Sequence, residues 1–531
     1  MKKIKLLSFI LIFVMSILSV GMLLTACAGK NETKEGVLTI HYYEGGYGSE
    51  WLEDALEAYK ADHPDFQYKL NPDPYISTSV TTYLQSGKNL SDIYMIQDGS
   101  KWSEWVANGY LANLNDVYEA EVETSEGTKK VKDYMDQNLV GRYYMQGRVG
   151  QGEYIPWVLP EASISTSLVY NEEYLLGTQH TTTESGKWNA GEYWTAPPAT
   201  VDELLAFCDD FNARGLKNSD GESITPFTLA GKESHWLKFF LYIWFAQYQG
   251  VYEENVLNAS EIAGEGSYYD FWNFASDNVW KMTGIQVAIE TLQEIFVGNG
   301  GEWKNLYGSV NEYSTQDAER EFVKGNSAML VGGSFFYNEM KRFLDLDGDG
   351  KDDYTFKMMP LPTIENAQEN EDGTASVLSF YSTDEIIFVP AKATNLELAK
   401  DFLATLFSEE NNLNFTQKTG TMRPFDYDPI ALSGEDYEWN PFTESVLALY
   451  RDSDERLFAY PYGKTSEEVS LIYRYAQPDI FGSLGWATFL NNGVKKLTAA
   501  QVMVEGTSSF TSVYDATKED YETWYDRYYG D

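Results

Sequence analysis

The sequence predicts an α/β fold built in two lobes, and three observations carry that prediction. The chain has 531 residues, more than one hydrophobic core organises, since single cores stop growing at about 250–300 residues. An alternating run from Val37 to Tyr43 leads through Glu44-Gly45-Gly46-Tyr47-Gly48 into a helical pattern, the strand, loop and helix that open an α/β lobe. Far downstream, Glu319 to Tyr337 (E-R-E-F-V-K-G-N-S-A-M-L-V-G-G-S-F-F-Y) reads as a helix end, a glycine stop, a buried strand and a glycine turn.

The chain begins with Lys2, Lys3 and Lys5, continues through a mostly apolar stretch from Leu6 to Leu24, and reaches Leu24-Thr25-Ala26-Cys27. This looks like a signal peptide over 1–26 ending in a bacterial lipobox, with cleavage before Cys27. Cys27 then carries the lipid. An uncleaved membrane-spanning anchor is the alternative, because 19 residues can cross a bilayer. Residues 27–36 are small and polar and read as the lipidated cysteine and a flexible tether.

The first strand is followed by a helix from about Ser49 to Ala61, with Trp51, Leu52, Ala55, Leu56 and Tyr59 on one face. The glycines of the loop lack the G-x-G-x-x-G spacing of a dinucleotide site. Asp92 to Gln97 reads as the next inner strand, with Asp98 and Trp102 just past its end. Ligands of open α/β sheets bind at the carboxyl ends of strands, so Glu44, Asp98 and Trp102 are groove candidates by position. Trp105 is assigned to the core. Glu119 to Asp136 is charged and reads as a surface insertion, and Gly177 to Pro198 reads as a loop. Thr200-Val201-Asp202-Glu203 is a capping box, opening a helix whose apolar face includes Cys208. That thiol is packed and inert. A second capping box is read at Thr394 to Glu397, before a helix carrying Ala399, Phe402, Leu403 and Leu406. In the 319–337 stretch, Gly325 stands where a left-handed helix stop needs it, Ala328 to Val331 forms an interior strand, and Gly332-Gly333 delivers Phe335.

The net charge is −42, which repels phosphate and excludes nucleic acid as a partner. Aromatic residues make up 15%, including 39 Tyr and 14 Trp. Some fill the cores, and others suit a groove for sugar faces, because these rings join a flat apolar face to a polar tip. No H-E-x-x-H, C-x-x-C, P-loop or G-x-S-x-G motif is present, so no enzyme is predicted.

Asp345-Leu346-Asp347-Gly348-Asp349-Gly350-Lys351-Asp352-Asp353 has the spacing of an EF-hand calcium loop. Asp345, Asp347, Asp349 and Asp353 would supply carboxylates and Lys351 its main-chain carbonyl. The twelfth position holds Phe356 in place of the bidentate glutamate. A structural calcium ion is expected.

The 319–337 stretch resembles the F-x-x-G-x-A-A-M signature of bacterial extracellular solute-binding proteins of the sugar-binding, maltose-binding-protein-like family. Leu168-Val169-Tyr170-Asn171, Met358 to Pro362 and Gly420 to Pro424 resemble further pieces in that family's order. The resemblance implies a two-lobed, type II periplasmic-binding-protein-like fold, with lobes joined by several crossings near Pro160–Ser165, Ser376–Asp384 and Pro424–Asp428. Lobe one would take 37–160 and the return segment 381–427; lobe two would take 161–380 and the helices of 428–531. It implies ligand contacts from Glu161, Trp236, Phe335, Phe481 and Trp486. Arg423 would hold either a ligand hydroxyl or a carboxylate of its own lobe. The implied protein is a monomer, lipid-anchored on the extracytoplasmic face of the cell membrane, that delivers a carbohydrate, an oligosaccharide in particular, to the permease of an ABC importer. A surface-anchored glycan-acting enzyme and an adhesion module are the alternatives.

Overall fold

A computed structural model describes residues 34–451 apart from several internal stretches, the longest being 249–282 and 368–378, and beyond 451 only Leu457–Ala459. Among the described residues no helix is long and apolar enough to cross a membrane.

The chain opens with β1 (Val37–Tyr42), the helix Glu50–Asp62, β2 (Gln67–Pro72), the helix Ile76–Ser86 and β3 (Ile93–Ile96). β1 lies between β2 and β3, parallel to both. Helix Glu50–Asp62 buries Trp51, Leu52, Ala55, Leu56 and Tyr59, the face its 3.6-residue period specified. Hairpins β4–β5 (Glu121–Thr124, Gly127–Lys130) and β6–β7 (Tyr144–Arg148, Gln151–Pro156) follow. The 119–136 segment is not a loose surface insertion: Val122, Val131, Tyr134 and Met135 are buried in the first core, and the charge of the segment lies on its outer face. The pair β8 (Leu159–Pro160) then sits at the sheet edge.

The chain now crosses into a second sheet. Its centre is β9 (Ile164–Asn171), of which seven residues are buried. β9 is flanked by β11 (Ser327–Gly333) on one side and by β12 (Phe356–Met359) and β13 (Ser379–Ser382) on the other, all antiparallel to it. β10 (Thr225–Thr228) extends the sheet parallel to β11, and β15 (Leu457–Ala459) pairs parallel with β13. β11 is buried along its whole length. It follows helix Thr315–Val323, which a capping box at Ser314 opens and Gly325, at φ +78°, closes. The second crossing returns the chain to β14 (Ile386–Phe388), antiparallel to β3 and to β8.

Each sheet has its own core. Trp105, Phe388 and Phe402 belong to the first; Phe207, Phe227 and Phe442 belong to the second. Cys208 is buried in the second core, its thiol pKa pushed up by burial. The helix Pro429–Ser433 still rests on lobe one, where Gln417 Nε2 donates to Ser433 Oγ at 2.8 Å. The helix Pro441–Arg451 packs through Phe442, Val446 and Leu449 into lobe two, so the third crossing ends in the 434–440 stretch, after residue 428. The second expected capping box is absent. Asn395 makes no cap; its amide nitrogen donates to Lys34 O and Val37 O at 3.0 Å. Asp92 accepts from the Asn395 main-chain N–H at 2.8 Å and from Thr39 Oγ1 at 2.7 Å. The start of this helix is therefore tied to the start of the sheet.

Candidate functional site

The carboxyl edge of the first sheet faces lobe two. Glu44 and Asp98 stand there, exposed, beyond the ends of the adjacent parallel strands β1 and β3. Tyr75, on the loop after β2, is 72% exposed at the same edge. Asp73 N–H donates to Tyr42 O at 2.9 Å, which holds that loop beside the end of β1. No sequence motif marks Tyr75. An exposed ring on a rim of otherwise polar residues was its structural signal.

The turn Gly45–Tyr47 follows β1, and lobe two meets it through Phe335 and Asn338. Asn338 Nδ2 donates to Gly46 O at 2.6 Å. A Cβ on Gly46 would come within 3.0 Å of Phe335 Cβ, and one on Gly333 within 2.3 Å of the Phe335 ring. Glycine is thus required on both sides of this aromatic for close approach. Phe335 is half-buried and packs against both cores, as befits a side chain at the junction of two lobes.

At the base of this junction the crossings are bonded to one another. Glu161 N–H donates to Glu385 O at 2.9 Å, and Ser163 N–H donates to Met422 O at 2.8 Å. Glu161 is 3% exposed, and burial lifts its carboxyl from the ordinary 4.5 to about 8, with Arg423 acting in the opposite sense. Tyr450, from helix Pro441–Arg451, donates its hydroxyl to Ser163 O. Tyr47 Oη is buried with no partner in hydrogen-bond geometry. Burial pushes its hydroxyl pKa well up, and Glu385 and Glu161 push it further.

Several sequence-derived assignments change. Among the described residues Arg423 bonds no carboxylate, and its Nη2 is buried with no partner in hydrogen-bond geometry. It is buried, donating Nε–H to Glu161 O at 3.2 Å and Nη1–H to Leu406 O at 2.9 Å and Asn412 Oδ1 at 3.2 Å. Its guanidinium lies over the rings of Phe415, Trp51 and Phe407 at 4.5, 4.8 and 5.0 Å. It remains charged, its pKa lowered to about 10 by burial. Trp102 is 2% exposed and belongs to the first core, at the start of the helix Trp102–Ala107. Trp236 is 5% exposed in the second core, with Nε1 donating to Thr315 Oγ1 at 2.7 Å. An indole whose one donor is internally satisfied is a packing residue here. Phe481, Trp486 and Cys27 lie outside the described residues.

In the 345–353 loop, Asp345 accepts main-chain N–H bonds from Gly348, Asp349 and Gly350 at 2.7, 3.0 and 2.8 Å, and Asp349 accepts from Lys351 N at 2.9 Å. Asp353 accepts from Leu346 N. Asp347 lies outside the described residues, and among those described no cluster of three His, Cys, Asp or Glu is placed to hold a metal. Phe356 is buried on β12 and has no side-chain oxygen to offer.

Two α/β lobes, a hinge of three crossings and a groove at the strand ends define a clamp-type receptor for a dissolved ligand. A family model described as bacterial extracellular solute-binding protein matches residues 54–428, and the chain belongs to that family. Solved structures share the fold. The solute-binding protein RafE in complex with raffinose is 14% identical, with 91% of this chain and 99% of that one covered at a TM-score of 0.55. The GacH receptor of Streptomyces glaucescens, solved unliganded and with acarbose, is 14% identical over 93% and 99% at 0.56. A sugar transporter of Bacillus licheniformis in complex with stachyose is 14% identical over 92% and 100% at 0.52. No curated protein matches the sequence.

Proposed function

We propose that this protein closes its two lobes on a carbohydrate, an oligosaccharide in particular, and hands it chemically unaltered to the permease of an ABC importer. The lipid on Cys27 would keep the receptor beside that permease, on the extracytoplasmic face of the cell membrane. The observation that carries the reading is Phe335, an aromatic presented by a glycine turn at the line where the lobes meet. Opposite it stands an edge with an exposed ring, Tyr75, and two exposed carboxylates, Glu44 and Asp98. Rings offer apolar faces to the C–H surface of a sugar and carboxylates accept from its hydroxyls. The sugars named for the related structures are oligosaccharides or close analogues, which supports the same class here. A solute touching both lobes favours the closed state by its differential affinity.

Calcium in the 345–353 loop belongs to the same proposal. Asp345, Asp347, Asp349, the Lys351 carbonyl and Asp353 would hold it, to pin the loop. The test is a thermal-shift screen of raffinose, stachyose and xylo-oligosaccharides, each with and without calcium. One oligosaccharide class should raise the melting temperature. A ligand at 100 times its dissociation constant adds about 2.7 kcal/mol. Calcium should add its own increment, lost in Asp345→Asn. No response to any sugar sinks the carbohydrate reading, and release of product from a bound glycan would replace it with the enzyme reading.

A further inference from the structure

A cavity of about 560 Å³ lies on lobe two, within the ~300–1,000 Å³ typical of small-molecule sites. Its described lining runs from His180 to Glu203, so no residue of the groove or of the crossings takes part. The segment that builds it, 177–198, reads from sequence as a plain loop, but its two ends are paired. Gln179 bridges Tyr193. His180 N–H donates to Glu192 O at 2.8 Å, and Trp194 N–H donates to Thr178 O at 2.9 Å. Asp210, 3% exposed on helix Val201–Ala213, ties this pair to the core. Its carboxylate accepts from Thr181 N–H and Oγ1 at 2.7 and 2.6 Å and from Trp194 Nε1 at 2.9 Å, and lies 3.2 Å from His180 Nδ1.

The rings form one wall. His180 stacks on Trp188 with centroids 4.6 Å and planes 10° apart, and Trp194 meets the two at 4.6 and 5.2 Å. His180 and Trp194 are buried, Trp188 is half-buried and Tyr193 is 54% exposed. Trp188 and Tyr193 are therefore the rings left to meet a solute, on a backing that Asp210 fixes in advance, which lowers the ordering cost of binding. Two carboxylates stand beside them. Asn189 N–H and Nδ2 hold Glu192 at 3.2 and 2.8 Å, and Ala199 N–H donates to Glu203 Oε2 at 2.8 Å.

This lining selects a ligand class. Aromatic faces suit the C–H surface of a sugar, and an oriented carboxylate, with about four acceptor sites, suits its hydroxyls. No lysine or arginine is among the described lining residues, so the two carboxylates repel an anionic ligand. His180, Trp188 and Trp194 pack against one another and leave no slot between them for an ammonium, as an aromatic cage would need. The exposure of Tyr193 leaves the site open for a chain to continue past it.

We propose that this cavity is a second carbohydrate site, which holds a neutral glycan chain against Trp188 and Tyr193 with Glu192 and Glu203 accepting its hydroxyls. Its described contacts all come from lobe two, so its ligand has no differential affinity for the open and closed states and is held in both. The site stands whether or not the groove captures a sugar.

The test is affinity electrophoresis of native protein, Tyr193→Ala, Glu192→Gln and Tyr75→Ala in gels holding xylan, galactomannan or starch, with polygalacturonate as the anionic control. At least one neutral polysaccharide should retard the native protein and polygalacturonate should not. Tyr193→Ala should weaken that binding about threefold to tenfold, the scale of one aromatic contact, at an unchanged melting temperature. Glu192→Gln should weaken it too, and serves alone if Tyr193→Ala does not fold. Tyr75→Ala should be retarded like the native protein. No retardation by any neutral polysaccharide, retardation undiminished in Tyr193→Ala and Glu192→Gln, or retardation lost only in Tyr75→Ala overturns the proposal. A thermal shift of Tyr193→Ala with raffinose or stachyose reads the groove separately. Its absence, with native retardation intact, would sink the capture reading and leave this site standing.

Discussion

Arg423 shows how a side chain can be right in position and different in role. An arginine after a glycine turn invites a ligand hydroxyl or a carboxylate as its partner. In the fold its Nε and Nη1 bond three oxygens, its Nη2 is buried with no partner in hydrogen-bond geometry, and it lies over the rings of Phe415, Trp51 and Phe407. Trp236 tells the same story. Trp236→Ala should cost about 3–5 kcal/mol of stability, the range for removing a buried large aromatic, read as a lowered melting temperature. The folded fraction should keep its sugar affinity. Tyr75 is the converse case. It is exposed at the sheet edge, so Tyr75→Ala should leave the melting temperature unchanged and weaken binding in calorimetry by about threefold to tenfold, the scale of one aromatic contact.

At the scale of elements, β11 and the turn after it position the site. β11 lies between β10 and β9, parallel to the first and antiparallel to the second, so it cannot shift along its axis without breaking both ladders. That rigidity passes through Gly332-Gly333 to Phe335. Gly333→Ala would place a Cβ 2.3 Å from the Phe335 ring and push it off its seat over Gly46. The expected outcome is a stability loss of about 1–3 kcal/mol, typical of overpacking, together with weaker sugar binding in the same titration. A second rigid element is the Thr39–Asp92–Asn395 knot. It binds the start of β1, the approach to β3 and the return helix Leu396–Leu406, so lobe one moves as one body.

For the whole molecule, function lies in the relation between two cores joined by the crossings and by the Phe335 and Asn338 contacts. Capture and release are one equilibrium seen from two sides. A ligand that touches both sheets favours the closed arrangement by its differential affinity.

Much of the architecture could be read from local pattern, because burial imposes period. The face of helix Glu50–Asp62, the interior strand β11 and the stop at Gly325 each follow from spacing that nearby residues set among themselves. Gly325 could be placed because only a residue without a Cβ enters the left-handed region freely. The place of Glu44 and Asp98 beyond the strand ends could be read because parallel strands end together. What the tertiary structure decided was which polar and aromatic side chains face water. Trp102 and Trp236 became core, Tyr75 became rim, and Glu161 became a buried acid beside Glu385 and Arg423. Those three charges are distant in sequence, from 161 to 423, and meet only because the chain crosses three times at one place. Their solvation is a property of that meeting.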